Sequence, residues 1–257
     1  MSGTNRHKQL IAEGPAIVLV EPQLGENIGM VARAMANFGL AELRIVNPRD
    51  GWPSERARAA ASRADHVIDG TRVFSTLPEA IADLRYVYAT TARPRDMIKQ
   101  VDGPGEAAGR LRELFLQDLP TGILFGRERW GLENEEIALA NAIVTFPVNP
   151  AFASLNIAQA VLLMAYEWMK SGDAAQRERN EQEMPVPARR EDIAGLCDHL
   201  ERALDENGYF HPAEKRERMA LNLRNLLSRQ NFTDPEVRSL RGAISALERR
   251  WQRGRQD

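Results

Sequence analysis

One cysteine, Cys197, stands in the 257 residues, so no internal disulfide can form and the fold must rest on packing. Its neighbours Ile193, Leu196, Leu200 and Leu204 place it on the apolar side of a helix, where core packing rather than chemistry is expected. The four histidines, His7, His66, His199 and His211, are scattered without zinc-type spacing, and no metal site is expected. No stretch approaches the roughly 20 apolar residues that span a bilayer. The opening MSGTNRHKQL has no apolar run behind its charges, so a cytoplasmic protein without a membrane segment is expected.

Familiar catalytic signatures are missing too. LGENIG lacks the spacing of a dinucleotide-binding glycine motif. Gly126 and Gly131 are spaced as in a phosphate-binding loop, but Leu132-Glu133 replaces the Lys-Ser/Thr that such a loop requires. No G-x-S-x-G elbow marks a hydrolase. The net charge of −2 does not by itself indicate a nucleic-acid binder, although its distribution is uneven. Residues 171–210 hold 5 Lys/Arg against 10 Asp/Glu, whereas residues 211–257 hold 11 against 6. A basic tail behind an acidic stretch either creates a local positive field or belongs to solvated helices with internal ion pairs.

What is present is a regular alternation of strand and helix patterns from 16 to 169, with crossovers long enough for parallel pairing. The class is α/β with a parallel sheet. Apolar runs at Ala16 to Val20, Leu43 to Val46, Tyr86 to Thr90, Ile123 to Phe125 and Ala142 to Phe146 read as strands, and Val67-Ile68 as a short one. Ile28, Val31, Met35 and Phe38 form one stripe of a helix that stops at Gly39. Arg33 lies off that stripe, and Asn27 falls in the first turn, where unpaired amides favour an anion.

A loop at 147–153, broken by Pro147 and Pro150, leads to a long helix from Ser154 with apolar residues at 157, 161, 164, 165 and 168, expected to be buried on most sides. Ser154 is either its N-cap or part of a ligand pocket with Ala153 and Ala158. Arg44, Arg49, Arg56, Arg58 and Arg63 form a cluster suited to phosphates. Residues 171–189 read as a linker, and 190–257 as a helical extension of three segments, near 190–207, 212–229 and 235–251.

The segments ENIGMVARAMANFG, FGRERWGLENEE and FPVNPAFASLNIAQAV resemble, in order and spacing, the three motifs of the SPOUT-class (TrmH family) RNA 2′-O-ribose methyltransferases. Within that class the chain is similar to the TrmJ group, which methylates tRNA at nucleotide 32. The resemblance covers Ala16 to Lys170 and continues more weakly into the C-terminal helices.

It implies a trefoil knot in domain 1–170, a homodimer with its active site at the subunit boundary, and S-adenosylmethionine held by Thr90, Thr91, Ala92, Gly126, Phe146, Ala153, Ser154 and Leu155. Arg33 and Asn27 match the first motif, Glu128 the second, and Ser154 with Asn156 the third. Guanidinium is too weak an acid to serve as a base near neutral pH, so Arg33 is expected to orient and stabilise. Glu128 either pairs with Arg127 or Arg129, braces the loop, or takes part directly. Asn156 either satisfies loop backbone or touches substrate. The expected function is methylation of a cytidine or uridine ribose in tRNA. The alternatives are the same chemistry on ribosomal RNA and a non-catalytic RNA-binding protein of this fold.

Overall fold

The computed structural model describes residues 11–92, 98–173 and 186–253. The first half runs β1 (Ala16–Val20), α1 (Gly25–Asn37), β2 (Leu43–Val46), α2 (Glu55–Ala60), α3 (Asp65–Asp69), β3 (Arg72–Phe74), α4 (Leu77–Ile81), β4 (Tyr86–Thr90) and β5 (Gln100–Asp102). It continues through α5 (Pro104–Phe115), β6 (Thr121–Phe125), α6 (Asn134–Ala138), β7 (Ala142–Val144), α7 (Ile157–Asp173), α8 (Arg190–Glu206), α9 (Arg216–Ser228) and α10 (Asp234–Arg253).

The strands make one seven-stranded parallel sheet in the order β3-β2-β1-β6-β4-β7-β5. The inner strands β1, β2, β6 and β7 are buried throughout, as a sheet covered on both faces demands. One core cluster joins Ile17, Leu19, Tyr88, Ile123 and Phe125 to Val31, Met35, Leu111, Val161 and Trp168. A second, with Val18, Val20, Leu84, Val87 and Leu124, covers the other face through Ile81 and Ile137. Close packing of α1 on α2 depends on Gly29, where a Cβ would collide with the Ala57 carbonyl.

Five points differ here from the sequence expectations. Val67 and Ile68 lie in α3 rather than a strand; two apolar residues are too short a run to set a period, and the nearby strand is the more exposed Arg72–Phe74. The polar edge strand β5 was not anticipated, because it carries little apolar signal.

Helix α7 begins at Ile157, so Ser154 is not its cap. Asn156 caps it, its Oδ1 accepting from the Ala158 amide at 2.9 Å while Gln159 Oε1 accepts from the Asn156 amide at 3.2 Å. Nor is α7 buried on most sides: Leu162, Leu163 and Tyr166 are exposed, as is Met30 on neighbouring α1.

The C-terminal helices have a small core of Ala188, Ile193, Leu196, Cys197 and Val237. They dock on the sheet domain at the end of α6, where Arg190 of α8 donates to the Leu139 carbonyl, beside Lys99 of the sheet domain, which donates to the Ala138 and Ala140 carbonyls at 3.2 and 2.6 Å. Arg85 ties the same junction to Pro187 and Asp234 at 3.0 and 3.3 Å. The expected linker, 171–189, falls largely on 174–185, outside the described residues.

Arg44 leaves the expected phosphate cluster. Its side chain is 1% exposed and donates to Glu42 at 2.9 Å, Asp83 at 2.9 Å and the Ala80 carbonyl at 2.6 Å, pinning β2 to α4. Arg44→Ala is expected to lose about 3 kcal/mol of unfolding free energy in a urea titration, because hydrogen bonds and packing go together. A variant as stable as the parent would show that the buried guanidinium holds nothing in place.

Candidate active site

The loops after β4, β6 and β7 emerge at the carboxyl ends of three strands that lie side by side, the end of an open α/β sheet where ligands bind. Between them is a cavity of about 250 Å³. Every residue expected to hold the cofactor lines it: Thr90, Thr91, Ala92, Gly126, Phe146, Ala153, Ser154 and Leu155. Threonine hydroxyls tie the walls together, Thr90 Oγ1 donating to the Leu124 carbonyl at 2.8 Å and Thr145 Oγ1 to the Thr91 carbonyl at 3.1 Å.

The floor loop is built on Gly126. A Cβ there would lie 2.6 Å from the Gly131 carbonyl oxygen and nearer still to the Leu132 amide, so only glycine lets the loop fold back on its strand. Gly131, at φ +70°, makes the return, and its amide donates to the Arg127 carbonyl at 2.9 Å. Arg127 clamps the loop from below. Its Nε donates to Glu21 at 2.8 Å and its two terminal nitrogens to Glu136 at 3.1 and 3.0 Å. The Arg127 hydrogen bond holds the Glu21 carboxyl below its ordinary value of 4.5, against the opposing effect of burial.

Glu128 also lines this cavity, and it braces neighbouring backbone rather than pairing with Arg127 or Arg129. Its carboxylate accepts from the Gln23 amide at 3.0 Å, the Leu24 amide at 3.3 Å and Asn27 Nδ2 at 2.9 Å. The anion-friendly start of α1 is therefore occupied by the protein's own carboxylate. Asn27, buried, passes the connection on by accepting from Asn156 Nδ2 at 3.2 Å.

Asn156 and Arg33 do not line the first cavity. They face a more open hollow of about 430 Å³ between α1 and α7, lined also by Met30, Asn37, Gln159 and Leu162. Each end of the Asn156 amide makes a hydrogen bond within the protein, Nδ2 to Asn27 and Oδ1 from the Ala158 amide. Arg33 stays outside this network; it is exposed and donates to Ser62 Oγ at 3.4 Å. Ser154, which does not cap α7, is exposed and lines the first cavity.

The sequence reading assigned no site role to Phe125, Arg127, Arg129, Trp130, Gly131, Leu132, Val148, Ile157 or Ala160, all of which line the cavity. Arg127 was legible only as a charged residue in a motif, since its partners Glu21 and Glu136 obey no local spacing. Among the described residues no group of His, Cys, Asp and Glu could hold a metal ion, and no helix is long and apolar enough to cross a membrane.

Residues 14–166 match the sequence model of the SpoU rRNA Methylase family, and residues 191–256 that of the tRNA methyltransferase TrmJ, C-terminal domain. The tRNA (cytidine/uridine-2′-O-)-methyltransferase TrmJ of Klebsiella pneumoniae is 36% identical over 236 residues, covering 90% of this chain and 95% of the relative. The crystal structure of TrmJ from Z. mobilis is similar with a TM-score of 0.82 and 50% identity, over 91% of this chain and 99% of that one. A structure concerned with 2-OH methylation of C/U34 on tRNA is similar at 27% identity and a TM-score of 0.50, covering 62% of this chain and 96% of that one.

Glu21 offers a pH test of the clamp. A carboxyl depressed in the folded state stabilises fully above its unfolded value, and that contribution fades as pH falls through the lower folded value. The stability gap between the parent and Glu21→Gln, read from urea midpoints, is expected to be largest above about pH 5 and to close below pH 4.5. A gap that stays constant with pH would remove Glu21 from the clamp.

Proposed function

This chain belongs to the SpoU rRNA methylase family, and we propose that within it the protein is a tRNA (cytidine/uridine-2′-O-)-methyltransferase acting on anticodon-loop nucleotide 32. The observation that carries the reading is the coincidence of two adjoining hollows. One is lined by small residues and loop backbone, and the other bears an exposed arginine. The Glu128-Asn27-Asn156 chain of hydrogen bonds fastens one to the other.

The first hollow fits S-adenosylmethionine. Gly126 admits no side chain, Ala92 and Ala153 leave backbone accessible, and Phe146, Val148 and Leu155 supply apolar wall for an adenine. When bound, the cofactor supplies a sulfonium methyl that is electrophilic without metal or covalent assistance. The protein's task is then to hold a 2′-hydroxyl in line and to exclude water.

Arg33 holds the phosphate beside the target ribose with its planar fork and favours the alkoxide as it forms. The 2′-hydroxyl proton leaves late, relayed through Ser154 or water to bulk solvent. Glu128 and Asn27 keep α1, and with it Arg33, at a fixed distance from the cofactor loops. The sheet domain, 1–170, carries the reaction, and its cavity loops are threaded as a trefoil knot. The helical extension, 190–257, adds grip on tRNA through its basic residues, together with those of Arg49, Arg56, Arg58 and Arg63 that salt bridges leave accessible. The protein works in the cytoplasm.

Mass spectrometry of nuclease-digested tRNA from cells with and without the gene tests the function. The expected result is loss of a 2′-O-methyl mark at nucleotide 32, restored by the parent gene and at least about tenfold less well by Arg33→Lys in turnover assays. Loss at nucleotide 34 would move the site. Unchanged tRNA with an altered ribosomal RNA would overturn the substrate, and full turnover by Arg33→Lys would overturn the role of its fork.

Two copies complete the site. Exposed Met30, Leu162, Leu163 and Tyr166 form an apolar face beside Arg33, where a second α1–α7 pair can cover it. Light scattering is expected to give a dimer, and Leu163→Glu a folded monomer with activity reduced at least about a hundredfold. An active monomer would refute the shared site.

A further inference from the structure

Two of the three loops around the cofactor cavity carry an aromatic side chain left in solvent. Trp130, in the loop after β6, is 49% exposed and lines the cavity edge. Phe152, in the short 3-10 turn between Val148 and Ala153, is 77% exposed and forms no part of the cavity wall. Burying either would be favourable, and the fold places neither in its core. The apolar wall inside the cavity is already supplied by Phe146, Val148 and Leu155. Beside Trp130, the exposed Arg129 has no ion-pair partner among the described residues, although its neighbour Arg127 is fully engaged.

We propose that Trp130 and Phe152 are a stacking platform for an unpaired nucleobase next to the methylated nucleotide, with Arg129 on its phosphate. This deepens the proposed function and rests on it. An anticodon loop presents unstacked bases, and a flat ring offered to one selects a splayed loop over a duplex without reading sequence. Trp and Phe lose little conformational freedom on stacking, and the guanidinium fork suits a phosphate. The platform thus aligns the loop over the cavity before the ribose is placed.

The test measures methyl transfer to unmodified tRNA, together with S-adenosylmethionine binding by calorimetry, on the full-length protein. Trp130→Ala and Phe152→Ala are each expected to lower kcat/KM for tRNA about ten- to a hundredfold, with cofactor Kd within about twofold of the parent. Trp130→Phe should recover most of the loss, and Arg129→Ala should reduce the salt slope of tRNA binding by about one. A matching rise in cofactor Kd would make Trp130 an adenine contact and overturn the proposal. Unchanged kcat/KM in both alanine variants would overturn it as well. Absence of transfer by the parent chain would remove the underlying function, and this inference with it.

Discussion

A single carboxylate joins the two halves of the site. Glu128 leaves the floor loop of the cavity and accepts from two backbone amides and one side-chain amide at the start of α1. A charged acceptor facing unpaired helix-start donors is among the stronger polar contacts a protein surface offers. Through Asn27 the same connection reaches Asn156, the residue that caps α7. Three segments far apart in sequence are therefore held by one chain of hydrogen bonds, and the relative placement of cavity and arginine hollow follows from it. A loop so fastened is pre-organised, which is what a reaction governed by alignment requires.

Arginine is used in this molecule in two opposite ways. Arg44, Arg127 and Arg190 are buried and tie carboxylates or carbonyls of separate elements together. Arg112 lies 3.4 Å above the Trp168 ring and donates to the Trp168 carbonyl, joining α5 to α7. Others, such as Arg33 and Arg129, remain in solvent. A count of positive charge along the chain cannot separate these groups, because burial depends on what the sheet order places opposite each one. Arg44 is the clear case: two residues from Glu42 in sequence, it owes its burial to α4 and Asp83.

The exposed apolar residues follow a related logic. On α7, Ile157, Val161, Met164 and Trp168 enter the core while Leu162, Leu163 and Tyr166 face out. By composition the helix reads as buried on most sides, and by structure it has an inner stripe and an uncovered one. Apolar side chains left bare next to an arginine hollow, and aromatic ones left bare around a cavity mouth, are two of the places among the described residues where large apolar groups meet solvent.

Local periodicity was enough to determine the parallel α/β class, the inner strands, α1, α7 and the three C-terminal helices, because each is a repeating pattern contained within one segment. The residues that the family resemblance assigns to the cofactor all line one cavity. Only the tertiary structure decided that Asn156 rather than Ser154 caps α7, that Arg44 is interior, and that Glu128 fills the start of α1. It also placed β4 between β6 and β7, which brings the three loops to one mouth. The physical reason is common to these cases. Caps, buried ion pairs and strand neighbours are contacts between distant residues, and their energies depend on geometry that no single segment contains.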